Sequence, residues 1–234
     1  GVGLQPGPDD SARPELHTPG TSYIPGTDAS YHDYRDSEIS TYVAVTMELV
    51  NRGYTVIRMG NVAHHSFSVK HPKIIDYVFH HRKSDFGQLY LGAKCEFCFG
   101  ASTGFMAIPQ VFGRPTVVVN FVTVEYISTW CRGLVIWKHH VKDGQRMTLK
   151  EIIDCGAGQY MAAAQFKDAG ITLADNTAQE ITEAVLEMVE WIEPPLQDDF
   201  WSRFPLKSVS PYNGKRLHGE PRVRIGKQFL KDYS

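Results

Sequence analysis

The sequence predicts an α/β fold in which helices flank a parallel sheet of the Rossmann type. Strand and helix patterns alternate over short links from about residue 37 to residue 120, as expected of βαβ units. Residues 116–120 (TVVVN) are a run rich in β-branched side chains, typical of a parallel strand buried on both faces. Residues 100–104 (GASTG) form a small-residue loop after an apolar stretch, as at the strand-to-helix turn of nucleotide-binding sheets.

The first half of the chain contains signals for two helices and three strands. Ser37 can cap a helix that ends near Gly53, and Ser84 can cap a second helix that runs to about residue 93. Strands are predicted at residues 54–59, 74–78 and 95–99. The expected order is therefore helix, strand, strand, helix, strand.

The second half contains one strong helix signal and one awkward proline. Thr177 and Glu180 have the spacing of a capping box before a segment with apolar residues every three or four positions. Pro109 lies where a helix over residues 103–112 would continue, so we expect a kink or a short helix there. Residues 223–233 have the pattern of a last amphipathic helix.

Composition divides the chain into three parts. Residues 1–36 are rich in proline and glycine, so we expect an irregular segment in which only residues 2–5 can form a first strand. Residues 37–193 are predicted to form the Rossmann-like domain, and residues 194–234 a C-terminal extension that packs on it. The chain begins with Gly rather than Met, which we interpret as a fragment or a processed chain.

Charge and hydropathy argue against several classes of partner. The 234 residues carry a formal net charge of -2, with the basic residues scattered along the chain. Neither nucleic acid nor an anionic membrane surface is therefore an expected partner. No apolar run approaches the roughly 18 residues that a membrane span requires, so no transmembrane segment is predicted.

Cysteine and histidine do not suggest a disulfide framework or a metal centre. Four cysteines in a chain of this length are too few for a disulfide scaffold. If residues 95–99 are a strand, Cys95 and Cys98 point to opposite faces and are structural thiols. Three pairs of adjacent histidines lack the spacing of known metal motifs; they are His64-His65, His80-His81 and His139-His140. We therefore expect no metal site.

The loop at residues 100–104 is the first candidate for a functional site. Its backbone N–H groups and the following helix would face the carboxyl edge of the sheet, where α/β proteins bind phosphate. Gly100 and Gly104 carry no side chain, and Ser102 and Thr103 add hydroxyl groups. The alternative is a tight turn in which Ser or Thr only caps the helix.

Other polar residues lie at predicted strand ends. Arg58 ends a strand just before Gly60, where a guanidinium can hold a diphosphate; the alternative for Arg58 is a surface ion pair. Lys138 follows a strand and can meet a phosphate, although a solvated lysine is the other interpretation. Asn120 ends the 116–120 run and Glu125 follows it. Both can bind a ribose or a base, unless Asn120 only forms a turn.

Three segments of the chain, in order, resemble one known family. They are residues 30–61 (SYHDYRDSEISTYVAVTMELVNRGYTVIRMGN), residues 84–105 (SDFGQLYLGAKCEFCFGASTGF) and residues 169–189 (AGITLADNTAQEITEAVLEMV). These segments are similar to a family of bacterial glycosyltransferases associated with surface-polysaccharide and glycoconjugate gene clusters. The similarity extends in order to residues 224–230 (RIGKQFL).

The resemblance implies the C-terminal half of a GT-B fold, in which two Rossmann-like domains face a cleft and this half holds a nucleotide-sugar donor. The domain of residues 37–193 would then bind that donor. It also implies a glycan or glycolipid acceptor, no required divalent metal, and no cofactor apart from the nucleotide-sugar substrate. The chain would lie in the cytoplasm, either free or peripheral at the inner face of the membrane.

The family-like segment HDYRD directs attention to His32, Asp33 and Arg35. His32 and Asp33 are candidates for the catalytic pair, because an imidazole titrates near neutral pH and can act as a base. Arg35 is a candidate for donor binding. The alternative is that these residues brace a loop, Arg35 through a salt bridge to Asp33 or Asp36.

The chain departs from the family at its beginning. Members start this half with a strand ending in a basic His-x-Arg-like element, whereas residues 3–7 here read GLQPG. The sequence also contains no N-terminal acceptor domain, so we expect donor binding with little sugar transfer. A non-catalytic nucleotide- or sugar-binding module is the alternative. A hydrolase acting through Ser102 and a dehydrogenase are disfavoured, because GxSxG and GxGxxG motifs are lacking.

Overall fold

The computed structural model describes residues 34–35, 37–61, 63, 65–128, 131–192 and 223–231. In chain order its strands are β1 (Val56–Arg58), β2 (Ile74–Asp76), β3 (Cys98–Gly100), β4 (Thr116–Phe121), β5 (Gly133–Trp137), β6 (His139–Lys142), β7 (Gln145–Arg146), β8 (Ile171–Ala174) and β9 (Val223–Ile225). Its α-helices are α1 (Val43–Asn51), α2 (Asp85–Lys94), α3 (Ala107–Val111), α4 (Leu149–Asp154), α5 (Ala163–Asp168), α6 (Ala178–Ile192) and α7 (Lys227–Lys231). Short 3-10 helices lie at Ile39–Tyr42, Tyr77–Phe79, Gly104–Met106, Val124–Tyr126 and Ala157–Gln159.

The strands form three sheets. β3, β4, β5 and β9 form a four-stranded parallel sheet in that order, and β1 and β2 form a separate parallel pair. β7, β6 and β8 form an antiparallel sheet. The described chain is thus a mixed α/β structure with a four-stranded parallel sheet flanked by helices, which is compatible with a Rossmann-like fold.

The four-stranded sheet contains most of the core. Every residue of β5 is buried, and only Val118 and Phe121 of β4 are partly exposed, as expected of central parallel strands. Trp137 packs edge-to-face on Phe229 of α7, with ring centroids 4.9 Å apart. Helix α6 contributes a buried apolar stripe made of Ile181, Ala184, Val185, Met188 and Val189.

Two predicted helix starts are confirmed. The Ser84 hydroxyl accepts a hydrogen bond from the Gly87 N–H at 3.0 Å and so caps α2. Before α6, the Glu180 carboxylate accepts from the Thr177 N–H at 2.7 Å, and the Thr177 hydroxyl accepts from the Glu180 N–H at 3.2 Å. Both caps join residues three apart, which is why they were visible in the sequence.

The predicted cap of the first helix is wrong. Ser37 does not cap it, because its hydroxyl is hydrogen-bonded to the Tyr42 hydroxyl at 2.9 Å. A 3-10 helix at Ile39–Tyr42 precedes α1 instead, and the Glu38 carboxylate accepts from the Ser40 N–H at its start. At the start of this 3-10 helix the Glu38 N–H donates to the Asp175 carboxylate.

The predicted strand at residues 95–99 begins later than expected. Helix α2 runs to Lys94, and the Cys95 N–H still donates to the Leu91 carbonyl at 2.9 Å. Only Cys98–Gly100 pairs with β4. Cys95 therefore belongs to a helix end, so the argument that placed Cys95 and Cys98 on opposite faces of one strand does not apply.

The predicted last helix is wrong over its first residues. Val223–Ile225 forms β9, which pairs in parallel with β5, and the helical part of the described segment is Lys227–Lys231. Val223 and Ile225 are buried, whereas Arg224 between them is half-buried. That alternation has a period of two, which is typical of a strand. Pairing with the edge of β5 stabilises the strand over the helical alternative.

The sequence patterns also missed the antiparallel sheet. Asp143 and Gly144 join β6 to β7 with φ values of 52° and 75°. Two consecutive positive φ values define the two-residue turns that favour tight hairpins. An Asp-Gly pair is a known signal for such a turn, so the hairpin was accessible to sequence reasoning.

We expect Gly133→Ala to lower the free energy of unfolding by about 1–3 kcal/mol, the usual range for overpacking. A Cβ on Gly133 would lie 2.4 Å from the backbone oxygen of Thr116, where β4 and β5 approach closely. Gly104→Ala is the matched control, because a Cβ there meets no heavy atom within 4 Å. Urea denaturation compares the two variants. Equal midpoints would show that β4 moves to accommodate the added methyl group without loss of stability.

Candidate functional site

A cleft of about 470 Å³ separates β1 from β3, which are not paired with each other. Its walls are mainly apolar and aromatic, and include Tyr42, Leu49, Tyr54, Val56, Phe97 and Phe99. At the carboxyl ends of the strands the cleft is bordered by Arg58 and Met59 at the end of β1 and by Gly100, Ala101 and Thr103 at the end of β3. We call these five residues the carboxyl mouth. The fold thus brings the predicted loop and the predicted arginine to one cleft.

The loop after β3 presents its polar groups outward. Gly100 has a φ of 154°, a value that favours glycine. Thr103 is exposed and its hydroxyl makes no capping bond to the 3-10 helix that follows; Ser102 is half-buried. Gly104 has open space where a Cβ would lie. The loop can therefore admit a ligand against its backbone and hydroxyl groups.

The helix after this loop is short. A 3-10 turn at Gly104–Met106 leads into α3, which has five residues. Pro109 is the third residue of α3, where its missing N–H breaks no intrahelical bond. This confirms the expected short helix. It also means that the helix dipole contributes less than expected, because a macrodipole needs aligned turns.

Arg58 lies at the end of β1 in an internal ion pair. Its Nη1 donates to Asp76 Oδ2 at 3.1 Å and to the His65 carbonyl at 2.7 Å. Asp76 is its partner in the β1–β2 register, and both side chains are 18% exposed. The two bonds use only one of the three guanidinium nitrogens. After Arg58 the chain leaves the strand through Gly60, at a φ of 146°.

Asn120 forms a closed pair with Asn176. The Asn120 N–H donates to Asn176 Oδ1 and the Asn176 N–H donates to Asn120 Oδ1, each at 2.6 Å. Asn176 Nδ2 also donates to the Trp137 carbonyl at 2.8 Å. The two residues are 2% and 1% exposed, and Asn120 has a φ of 52°. This geometry favours a structural role for Asn120 over direct contact with a ligand.

Lys138 is buried, so its interpretation as a solvated lysine is wrong. Its side chain is 5% exposed, and Nζ lies 2.8 Å from Asp175 Oδ1. The other oxygen of Asp175 accepts from the Glu38 N–H at 3.2 Å. The Lys138–Asp175 pair therefore connects the end of β5 to the start of the Ile39–Tyr42 helix.

The remaining candidates either do not line the cleft or lie outside the described residues. Arg35 donates from Nε to the Tyr34 hydroxyl at 3.0 Å, with its guanidinium 5.2 Å from the Tyr34 ring centroid. His32 and Asp33 lie outside the described residues, as does Asp36. Glu125 packs against Gly158, where a Cβ would lie 3.0 Å from its carboxylate.

Sequence reasoning missed three members of this region, Tyr42, Asp175 and Asn176. Tyr42 lines the cleft, and burial raises the pKa of its hydroxyl, so it stays protonated. Asp175 and Asn176 directly follow β8. An Asp-Asn pair after an apolar strand is the same kind of signal that singled out Asn120, but the strand itself had not been predicted.

The described residues contain no group of three or more His, Cys, Asp or Glu side chains placed to hold a metal ion. All four cysteines are free thiols. Burial raises the pKa of both Cys95 and Cys98, that of Cys98 to about 12, so neither is a ready thiolate. None of the described helices combines the length and apolar character needed to cross a bilayer.

Comparison of the chain with known protein families, with curated proteins and with solved structures finds no match.

His140, two residues after Lys138, is a buried neutral imidazole. It is 0% exposed, and its Nδ1 is hydrogen-bonded to the Lys138 carbonyl at 3.0 Å. Its Nε2 has no hydrogen-bond partner among the described residues. Burial lowers the pKa of His140 to about 4.

We expect the contribution of His140 to the free energy of unfolding to fall as the pH drops from about 6.5 to about 4, by up to roughly 3 kcal/mol. Over this range the unfolded chain takes up a proton on His140 while the folded protein does not, so folding is opposed. Above this range the contribution is fully present. Urea denaturation at about pH 7 and about pH 4.5 measures the change.

His140→Gln is the control for this pH dependence. Burial raises the pKa of Glu187 to about 7, so that carboxyl contributes with the opposite sign, its effect being lost as the pH rises. The difference between wild type and variant isolates His140. If both lose the same stability on acidification, His140 is not the cause.

Proposed function

We propose that this chain binds the diphosphate of a nucleotide-sugar at the carboxyl mouth and is the donor-binding half of a GT-B glycosyltransferase. The observation that carries the proposal is the convergence of Arg58 and the residue 100–104 loop on one cleft from two separate strands. Both lie at carboxyl ends of parallel strands, where open α/β sheets bind ligands. The resemblance of three segments to glycosyltransferases supplies the reaction.

The chemistry of the mouth suits a leaving nucleoside diphosphate. Sugar transfer requires donors that stabilise the charge developing on the phosphate oxygens. The exposed Thr103 borders the cleft and offers such a donor, and the half-buried Ser102 and the backbone of Gly104 lie on either side of it in the chain without lining the cleft. Arg58 is held in place by Asp76 at 3.1 Å. The pair has no net charge, but the contact fixes the orientation of the guanidinium. Binding at this mouth would depend on directed N–H and O–H groups more than on net charge.

The acceptor and the catalytic base are proposed to come from elsewhere. A second, acceptor-binding domain would close the site over a glycan or glycolipid, and the proposed location is cytoplasmic, free or peripheral at the inner membrane face. His32 and Asp33 remain the candidate pair within this chain. Arg35 remains a candidate for donor binding.

A non-catalytic nucleotide- or sugar-binding module is the second candidate. The observation that favours it is the nature of the titratable groups near the described mouth. Arg58 is cationic, and the Asp76 carboxylate beside it is engaged by Arg58 and by the Phe67 N–H. Burial raises the pKa of Tyr42, so these groups are poorly suited to act as a base near neutral pH. The carboxylate that lines the described cleft, Glu96, precedes β3 and lies at the opposite end.

Replacing Ser102 and Thr103 together by Val should weaken nucleotide binding by about 1–3 kcal/mol, because hydrogen bonds to a charged group are lost. A thermal-shift screen with UDP, GDP, CMP and ADP first identifies the nucleotide, and calorimetry then measures its affinity. Thr172→Val, at an exposed position of β8, is the control, because it makes the same exchange of hydroxyl for methyl as Thr103→Val. Unchanged affinity in the double variant would remove the loop from the site.

Arg58→Gln should weaken binding of the same nucleotide by about 1.5–3 kcal/mol, the range for hydrogen bonds to charged groups. The control is Arg52→Gln, which breaks an exposed pair with Glu48 on α1. Thermal melts of both variants establish that they are folded at the titration temperature. Equal affinities for the two variants would show that Arg58 serves only its pair with Asp76.

The chain alone should bind donor but transfer sugar poorly. Holding the acceptor hydroxyl at the reacting carbon supplies about 7–11 kcal/mol of a typical barrier, and one open sheet edge does not enclose an acceptor. The rate of nucleotide release from the donor, with and without added glycan, measures sugar transfer by the chain. Robust transfer by the purified chain would place an acceptor site within it. Donor binding with no release of nucleotide, either with or without glycan, favours the non-catalytic module.

A further inference from the structure

We propose that residues 2–5 (VGLQ) form a strand that fills the cleft between β1 and β3. The inserted strand would join the β1–β2 pair and the four-stranded sheet into one parallel sheet. The occupant is thus a segment of this chain that lies outside the described residues. The inference is independent of what the carboxyl mouth binds.

The first support is that, among the described residues, β1 and β3 each have one edge without a partner strand, and this edge faces the cleft. The Val56 N–H donates to the Lys73 carbonyl on the β2 side at 2.8 Å, and the Cys98 N–H donates to the Pro115 carbonyl on the β4 side at 3.0 Å. Backbone groups alternate between the two sides of a parallel strand. The N–H and C=O groups of Ile57 and Phe99 therefore point toward the cleft from opposite walls, as two neighbours of a shared strand would.

The second support is the burial of these strands. All residues of β1 and β3 are only half-buried, whereas β5 in the same fold is buried throughout. Parallel strands are normally covered on both sides, and protein interiors leave few voids larger than a water molecule. A mainly apolar cleft of about 470 Å³ is the space that a short strand and its side chains would take.

The third support is the direction of the chain. The Ile39–Tyr42 helix starts at the carboxyl edge, where the Glu38 N–H contacts Asp175, and α1 then leads back to β1. A strand that ends at the carboxyl edge and precedes α1 would run parallel to β1, as a βαβ unit requires. It would then have β1 and β2 on one side and β3, β4 and β5 on the other. Rossmann folds place their first strand in this central position.

Residues 2–5 are the segment that fits best. Val2 and Leu4 alternate with smaller or polar residues, and Pro6 follows directly. A proline cannot donate to a central strand, so Pro6 would mark the end of the strand at the carboxyl mouth. Residues 6–33 would then connect the mouth to Tyr34. This strand end would face both Arg58 and Gly100, which is the crevice where the strand order reverses.

Amide hydrogen exchange followed by NMR tests the proposal on the intact chain. Val56 and Cys98, bonded to β2 and β4, are internal references. We expect the cleft-facing amides of Ile57 and Phe99 to be protected as strongly as these references, and the amides of residues 3–5 to exchange at least ~100-fold more slowly than in an unfolded chain. Exchange of residues 3–5 at the unfolded rate would overturn the proposal.

Two leucine variants provide the matched comparison. Leu4→Pro removes a ladder bond from the proposed strand, so it should raise exchange at Ile57 and Phe99 by at least ~10-fold. Leu16→Pro, the same change elsewhere in the N-terminal segment, should not. Equal effects of the two variants would overturn the assignment. If Leu4→Pro does not fold, Leu4→Ala and the wild-type exchange pattern carry the test. Protection that disappears on dilution would identify a second copy as the occupant and also overturn it.

Discussion

The reciprocal hydrogen bonds between Asn120 and Asn176 are the constraint on which the carboxyl edge of the sheet depends. Each buried amide oxygen satisfies the backbone N–H of the other residue at 2.6 Å, which leaves neither N–H unpaired in the interior. The same contact holds Asn120 at a positive φ that few residues tolerate. Because Asn176 also donates to the Trp137 carbonyl, the ends of β4 and β5 meet the start of α6 at one point.

The position of α1 follows from this junction. Asp175 precedes Asn176 and is therefore held where it meets the Lys138 ammonium and the Glu38 N–H. A buried lysine needs such a partner, since an unpaired charge in the interior is strongly destabilising. The pair fixes the beginning of the Ile39–Tyr42 helix at the sheet edge. Tyr42 then forms one wall of the cleft, within hydrogen-bond distance of Ser37.

Charge at this edge is already balanced within the protein. Lys138 is paired with Asp175 and Arg58 with Asp76, in keeping with a chain whose formal net charge is only -2. An anionic ligand would thus meet oriented donors rather than a strongly positive surface. The sequence singled out the residue 100–104 loop and Arg58 separately, and the fold brings both to the border of one cleft. Sequence reasoning could not identify Asp76 as the partner of Arg58, because that contact depends on the register of two strands.

The sequence by itself determined the features whose bonds close within a few residues. The Ser84 cap, the Thr177–Glu180 capping box, the short helix at Pro109 and the buried run of β4 depend on local backbone geometry or on a single pattern of burial. Tertiary structure alone decided that residues 223–225 form a strand, that Lys138 is buried, and that Asn120 closes on Asn176 across 56 positions of sequence. The physical reason is that a polar group or a free strand edge takes whichever partner packing brings to it. Short-range propensity does not specify that partner.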